Sequence, residues 1–573
     1  MPQNARWRAS DSITAAVLFL ATAGFTLWQN MRVAVLWDLS YLLDSAWRFS
    51  LGQLPFRDIP FAHAPLTFLV HAVLVSLLGR VYWPHIAWAI LESGLATVLT
   101  WRILRALARD RTWGAGTRLW PVILTLPLVF LGIYGIYPHP IYDSDAALSV
   151  LIALYLLQKA ERSGSRNVSF VAGAECVLPL FFKQNIGLAF LAAVVLYVAI
   201  SAWSAWKRKE SLASAAWLAA GILAALIGAI STIQLTVGLR SYYYWTVTFA
   251  SERRLPGLGI LMSTYHQQSL LWTIPAAIAG VALIRWTKWP RPVTDLLATL
   301  LLSAPFLWTL LSLTLTSDAD DRADQLLGLW PHLLILGAMV AVANLRPVVL
   351  RHRHLFPALL PLILLATIDG TFLSQQLWGS TYAMWPLLVL LLWSMLEHVP
   401  DVSRPLALIV SATLLVCGSL YAIGLERLSY IHLDGALQRA TLPELRGMAT
   451  AGPWIPQFEE LVGVTNSEIP RGDGILMIPG EVPFFFTTGR TPAFPILLFD
   501  PATDPYSPQQ TLEQARSHNI RWLIVSRNPQ LAGPPHPDLD EITRAVEQDF
   551  ELKRTTAGYD IFRRKEGTNA RGN

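Results

Sequence analysis

The chain has 573 residues, 53% of them hydrophobic and only 14% charged, with a formal net charge of +5. A soluble globular protein carries roughly 25% charged residues, so a water-soluble globular enzyme is excluded. Nucleic-acid binding is not implied either, because the basic residues fall in short clusters between apolar runs, which is a topology signal rather than a phosphate-tracking stripe.

Many apolar runs of about 20 residues define a polytopic α-helical membrane protein. The 23 tryptophans suit interfacial belts. Cys176 and Cys417 both fall within apolar runs and read as packed thiols, with no disulfide framework.

In chain order, Arg6 and Arg8 precede a first run, Ser12–Gln29, that has no small-residue cleavage site, so it reads as an uncleaved span with its N-terminus in the cytoplasm. An acidic outer stretch follows, within a first outer loop of residues 31–81. His63–Gly79 is apolar but only borderline in length. It is assigned as a helix along or dipping into the outer leaflet, because counting it as a span inverts every later loop against the charge rule.

Spans are then expected at Tyr82–Leu104, Leu119–Ile136, Ala146–Leu157, Val168–Phe182, Ile186–Trp206, Leu212–Val237, Gln268–Ile284, Thr294–Leu315, Gln325–Ala343, Phe356–Phe372, Tyr382–Leu396 and Leu406–Leu425. This gives about thirteen spans. Lys and Arg concentrate on one set of loops, which predicts a cytoplasmic N-terminus and an external C-terminus.

From about Glu426 charges return and apolar runs shorten. Buried strands are expected at Gly474–Ile478, Trp522–Val525 and Tyr559–Phe562, and helices near Pro456–Val462, Thr511–His518 and Leu539–Phe550. The domain division is therefore residues 1–425 for the membrane unit and 426–573 for a small extracytoplasmic α/β domain.

The candidate chemistry lies in two acidic loops on one side of the membrane: Asp38, Asp44 and Asp58 in the first, Asp143 and Asp145 in the second. Ionisable groups at a membrane boundary are costly without water or a partner, so they mark a site by default. Singly, each acid can also be read as a helix N-cap, a role that suits Asp145.

A carboxylate pair at a lipid interface suits general-base removal of a proton from an acceptor hydroxyl or amine. A lipid phosphate then leaves without a strong acid, held by cations. Lys183, Arg253, Arg254 and Arg322 are candidates for substrate binding, with Lys183 foremost because it interrupts two apolar spans. A solvated or headgroup-contacting role competes at each.

The pattern Asp38-x-x-Tyr41, Ala46, Gly52-x-x-Pro55-Phe56-x-Asp58 and His63-x-Pro65-Leu66 resembles the first outer loop of the GT-C superfamily of membrane glycosyltransferases. That superfamily includes protein O-mannosyltransferases, the lipid A aminoarabinose transferase and bacterial transferases acting on lipopolysaccharide. Asp143-x-Asp145 resembles its second acidic loop, and Phe182-Lys183-Gln184-Asn185-x-Gly187 a segment common in bacterial members. Leu442–Gly447 and Phe485–Arg490 resemble parts of its periplasmic domain.

The resemblance implies an inverting transfer of sugar from a polyprenyl-phosphate donor to an envelope lipid, glycan or protein, on the outer face of a bacterial inner membrane. It implies Asp38 as general base and Asp145, or else Asp143, as the second-loop acid. Asp44, Asp58 and His63 are candidate substrate-binding residues. Many members carry a second acid directly after the first, where this chain has Leu39. A divalent metal is therefore an open cofactor, with His63 and Asp58 as candidate ligands. The alternatives are a transporter or flippase of a lipid-linked sugar and a non-catalytic envelope scaffold.

Overall fold

The computed structural model describes residues 9–32, 36–109, 118–135, 139–316, 326–348, 355–373, 383–423, 426–427, 431–432, 436–500, 504–529 and 537–566. It is mostly helical, with a small sheet near the C-terminus. Among the described residues six helices are long and apolar enough to cross a membrane: Ala9–Asn30, Trp83–Arg109, Gln184–Lys207, Ala213–Thr236, Arg291–Leu315 and Ser403–Ala422. Five shorter apolar helices, Leu66–Leu78, Leu270–Trp286, Leu329–Leu345, Phe356–Thr371 and Trp385–Leu396, lie among them. The expected count of about thirteen spans is thus not reached by length and composition alone.

Prolines explain two differences from the expected spans. The run from Leu119 breaks into Leu119–Thr125 and Leu128–Leu131 at Pro127, and the run from Val168 breaks into Arg166–Glu175 and Pro179–Phe182 at Pro179. A proline lacks the N–H that continues a helix, but it fits at a first turn. The Leu66–Leu78 helix has 13 residues. At 1.5 Å per residue it is about 20 Å long, short of a hydrocarbon core of about 30 Å.

Two helices cross without side chains between them. A Cβ on Gly173 would lie 2.1 Å from the Leu218 carbonyl, and one on Gly221 would lie 2.0 Å from that of Phe170. This is the small-residue contact typical of helices in lipid.

The C-terminal sheet runs β1 (Gly474–Ile478), β2 (Ile520–Ser526), β3 (Phe550–Thr555) and β4 (Tyr559–Arg564) in chain order. Its spatial order is β1-β2-β4-β3, with only β1 and β2 parallel. Ile475, Met477, Trp522 and Ile524 bury one face with helix Trp454–Glu468. Leu476, Ile478 and Leu523 bury the other with Ala515 of helix Pro508–Ser517. Strand β3 begins at Phe550, where the sequence had suggested the end of a helix; that helix is Pro537–Glu547.

Helix Leu36–Ser50 joins this unit to the membrane helices. Ser40 donates to the Glu481 carbonyl (2.8 Å), Trp47 to that of Arg490 (2.9 Å) and Arg48 to that of Pro495 (2.8 Å). Asp44 accepts from the backbone N–H of Phe485 (3.2 Å) and Phe486 (2.7 Å). These four residues share one helix face by spacing. Leu42 and Phe49 pack instead with Phe56, Ile59, Phe61 and Phe68 of the first loop and the helix after it.

Candidate functional site

Asp38 stands in the first turn of helix Leu36–Ser50 and accepts a hydrogen bond from its neighbour's indole, Trp37 Nε1 (2.6 Å). One turn on, the Tyr41 ring lies 5.5 Å from that of His63, which lies 5.1 Å from that of Tyr142. Tyr142 opens helix Tyr142–Ser163, and its first turn carries Asp143 and Asp145. A continuous line of rings thus connects the first acidic loop to the second.

Asp143 forms a buried ion pair with Lys183, whose Nζ also lies 5.0 Å from the centre of the Tyr142 ring. Lys183 is held in an extended conformation between two helices, Pro179–Phe182 and Gln184–Lys207, so its side chain leaves the helical stack. The next residue, Gln184, clamps the first loop on both sides of His63. It accepts from Ala64 N–H (3.1 Å) and donates to the Ala62 carbonyl (3.0 Å).

Asp145 does not cap its helix. The N-cap is Ile141, with no side-chain capping bond. Asp145 accepts instead from the Thr67 hydroxyl (2.6 Å). Helix Trp83–Arg109 packs on Tyr142–Ser163 and carries the buried Glu92, to which Tyr134 donates (2.5 Å).

The sequence reading did not include Glu92, Tyr134 or Thr67 in the site. Its missed signal was Glu92 itself, an acid within an otherwise apolar run.

The other candidates are placed elsewhere. Asp44 is buried against the backbone of Phe485 and Phe486, where burial pushes its carboxyl up to about 8 against the opposing pull of those N–H groups. Asp58 accepts from Leu54 N–H (2.8 Å) and pairs with Arg57 (2.8 Å), which holds it below the usual carboxylate range. Arg48 is buried, and desolvation draws it down to about 10.

Arg253 stacks over Phe249 at 5.5 Å. Arg254 ends the short helix Ala250–Arg254, with its side chain outside the described set, and Arg322 lies outside the described residues. His63 sits among aromatic rings while Asp58 pairs with Arg57, so the two do not form a ligand set. Among the described residues no three His, Cys, Asp or Glu side chains converge.

No family model matches the chain, and no curated protein sequence matches it. In structure it is similar to ArnT from Cupriavidus metallidurans bound to undecaprenyl phosphate, at 12% identity and TM-score 0.42, over 98% of this chain and 99% of that one. It is also similar to the oligosaccharyltransferase AglB from Archaeoglobus fulgidus in complex with an inhibitory peptide and a dolichol-phosphate. There identity is 10% and TM-score 0.48, over 90% of this chain and 69% of that one. Both are members of the superfamily that the loop motifs resemble. At these scores the likeness assigns no residue a role here.

Proposed function

We propose that the protein is an inverting glycosyltransferase that moves a sugar from a polyprenyl-phosphate donor to a lipid, glycan or protein acceptor of the cell envelope. The observation that carries this reading is the buried ion pair of Lys183 with Asp143 beside the Tyr142 ring, a ring that His63 and Tyr41 link to the helix bearing Asp38.

In this reading Asp38 is the general base. It takes the proton of the acceptor hydroxyl or amine as that atom attacks the anomeric carbon. The carbon–oxygen bond to phosphate breaks on the opposite side, which inverts the centre, and the bonding pair leaves with the phosphate. Lys183, oriented by Asp143, meets the phosphate charge as it develops. Asp145, held by Thr67, fixes the second loop beside the reacting sugar.

His63, Arg253, Arg254 and Arg322 are proposed to contact substrate. Asp44 and Asp58 use their oxygens in local bonds and are proposed to hold the loop rather than the substrate. The site is proposed to face the outer side of a bacterial inner membrane.

The test is release of polyprenyl phosphate from a panel of polyprenyl-phosphate sugars by purified protein mixed with crude envelope acceptor. Release by wild type should fall by about 10²–10⁴ in Asp38→Asn, the range that general-base catalysis contributes. Full release by Asp38→Asn overturns Asp38 as the base. No release from any donor by folded protein overturns the reaction class.

A further inference from the structure

A cavity of about 240 Å³ lies among the membrane helices, apart from the chemistry assigned above. Helices Leu270–Trp286, Arg291–Leu315, Leu329–Leu345, Trp385–Leu396 and Ser403–Ala422 enclose it. Ala277 and Ala282 leave space that Ile278, Phe306 and Leu336 border. Such walls give a water too few hydrogen-bond partners, so the space stays dry and takes up hydrocarbon; about 150 Å³ already holds a benzene ring. Ile278 and Met339 line the cavity and are also about half exposed, at 51% and 49%. The cavity therefore opens to the outside of the bundle, where acyl chains lie.

Its depth and place fit one leaflet. Along helix Leu270–Trp286 it runs from Ala277 to Trp286. At 1.5 Å per residue that is about 14 Å, close to half of a hydrocarbon core of about 30 Å. Arg291, which starts the next helix, pairs with Asp401 (3.1 Å), just before helix Ser403–Ala422. That helix is about 30 Å long and leads on to the C-terminal unit. Leu406 and Val410, in its first turns, thus place the cavity at the end of the bundle remote from that unit. The charge rule predicts this end in the cytoplasm.

The mouth carries indoles and cations. Trp286 lines it and Trp289 follows, both exposed, as indoles at the headgroup level are. Arg285 stands seven residues after Ile278 and three after Ala282, so it continues the helix face that bounds the cavity. Arg285 and Lys288 are exposed. Of the acids near this end, Asp401 pairs with Arg291, Glu397 accepts from Trp393 Nε1 (3.1 Å) and Asp295 is half-buried. A basic pocket between membrane helices on the cytoplasmic side suits an anionic lipid headgroup.

We infer that the cavity holds one acyl chain of an anionic phospholipid from the leaflet opposite the C-terminal unit, with the headgroup phosphate at Arg285 and Lys288. Such a lipid site does not depend on the transfer reaction. It is also separate from the donor, whose phosphate is placed at Lys183 in the reading above.

The test is native mass spectrometry of the full chain in detergent. It is titrated with dioleoyl phosphatidylglycerol, with dioleoyl phosphatidylcholine, which has the same chains, and with undecaprenyl phosphate. Phosphatidylglycerol should bind more tightly than phosphatidylcholine. Ala282→Phe, which fills the cavity, should abolish phosphatidylglycerol binding and leave that of undecaprenyl phosphate unchanged. Arg285→Gln combined with Lys288→Gln should weaken phosphatidylglycerol binding roughly 30-fold, about fivefold per basic residue, at an unchanged melting temperature.

Phosphatidylglycerol binding that is equalled by phosphatidylcholine, unchanged in the double variant or retained in folded Ala282→Phe overturns the site. Loss of undecaprenyl phosphate in Ala282→Phe gives the cavity to a polyprenyl tail and overturns the assignment to a phospholipid. Should Ala282→Phe fail to fold, the double variant, whose changes lie on exposed side chains, decides alone.

Discussion

The Lys183–Asp143 pair carries a prediction that a solvent-exposed pair would not. Both side chains are buried, and removing one partner of a buried pair leaves an uncompensated charge, at a cost of about 3–5 kcal/mol. Lys183→Met should therefore lower the melting temperature strongly, and adding Asp143→Asn should recover most of the loss. Transfer should stay abolished in the double variant, because the phosphate then has no cation at that place. Recovery of transfer together with stability would remove Lys183 from phosphate binding. Lys183 and Asp143 were both legible as sequence features, because a charge that interrupts apolar spans demands a partner. That they are each other's partner was not legible, since 40 positions separate them. Glu92 was not read as a site residue, although an acid within an apolar run is a signal of its own.

Helix Leu36–Ser50 shows how one element serves two purposes. Its aromatic face packs on the first loop. Asp44 was a substrate-binding candidate on the same stretch as Asp38, the expected base, but it lies on the face that meets the C-terminal unit. Nothing local to residues 36–50 names Phe485 and Phe486 as partners. The Asp44 carboxyl titrates near 8 in the folded chain against an ordinary 3.8. The folded chain thus holds the extra proton between those values. Its contribution is fully present below the lower value and is lost as pH rises through the upper one. The melting temperature should fall between about pH 5 and about pH 9, and Asp44→Asn should flatten that fall. An equal slope in the variant would mean that another group governs it. At the Gly173–Gly221 crossing, Gly221→Val places a side chain where the Phe170 carbonyl lies. The two helices must separate, and the variant should melt lower than Gly228→Val on the same helix, where a Cβ meets nothing within 4 Å.

At the scale of the whole molecule, the sidedness of the C-terminal unit follows from contacts rather than from counting spans. The sequence argument needed an odd total and was vulnerable at the short Leu66–Leu78 helix. The structural argument needs only the first span. Helix Leu36–Ser50 follows Ala9–Asn30 directly, and four of its side chains bond the backbone between Glu481 and Pro495. The two units must therefore lie on the same side of the membrane. The charge rule predicts that Arg6 and Arg8 keep the start of the first span in the cytoplasm. Its end, the helix and the C-terminal unit are then all expected outside, whatever the later count. An alkaline phosphatase fused after Asn573 should be active, and a green fluorescent protein exported through the general secretory route at the same position should be dark. The opposite pair of results would turn the first span over. It would carry Asp38 and both acidic loops to the cytoplasmic side, where a donor on the outer leaflet could not reach them.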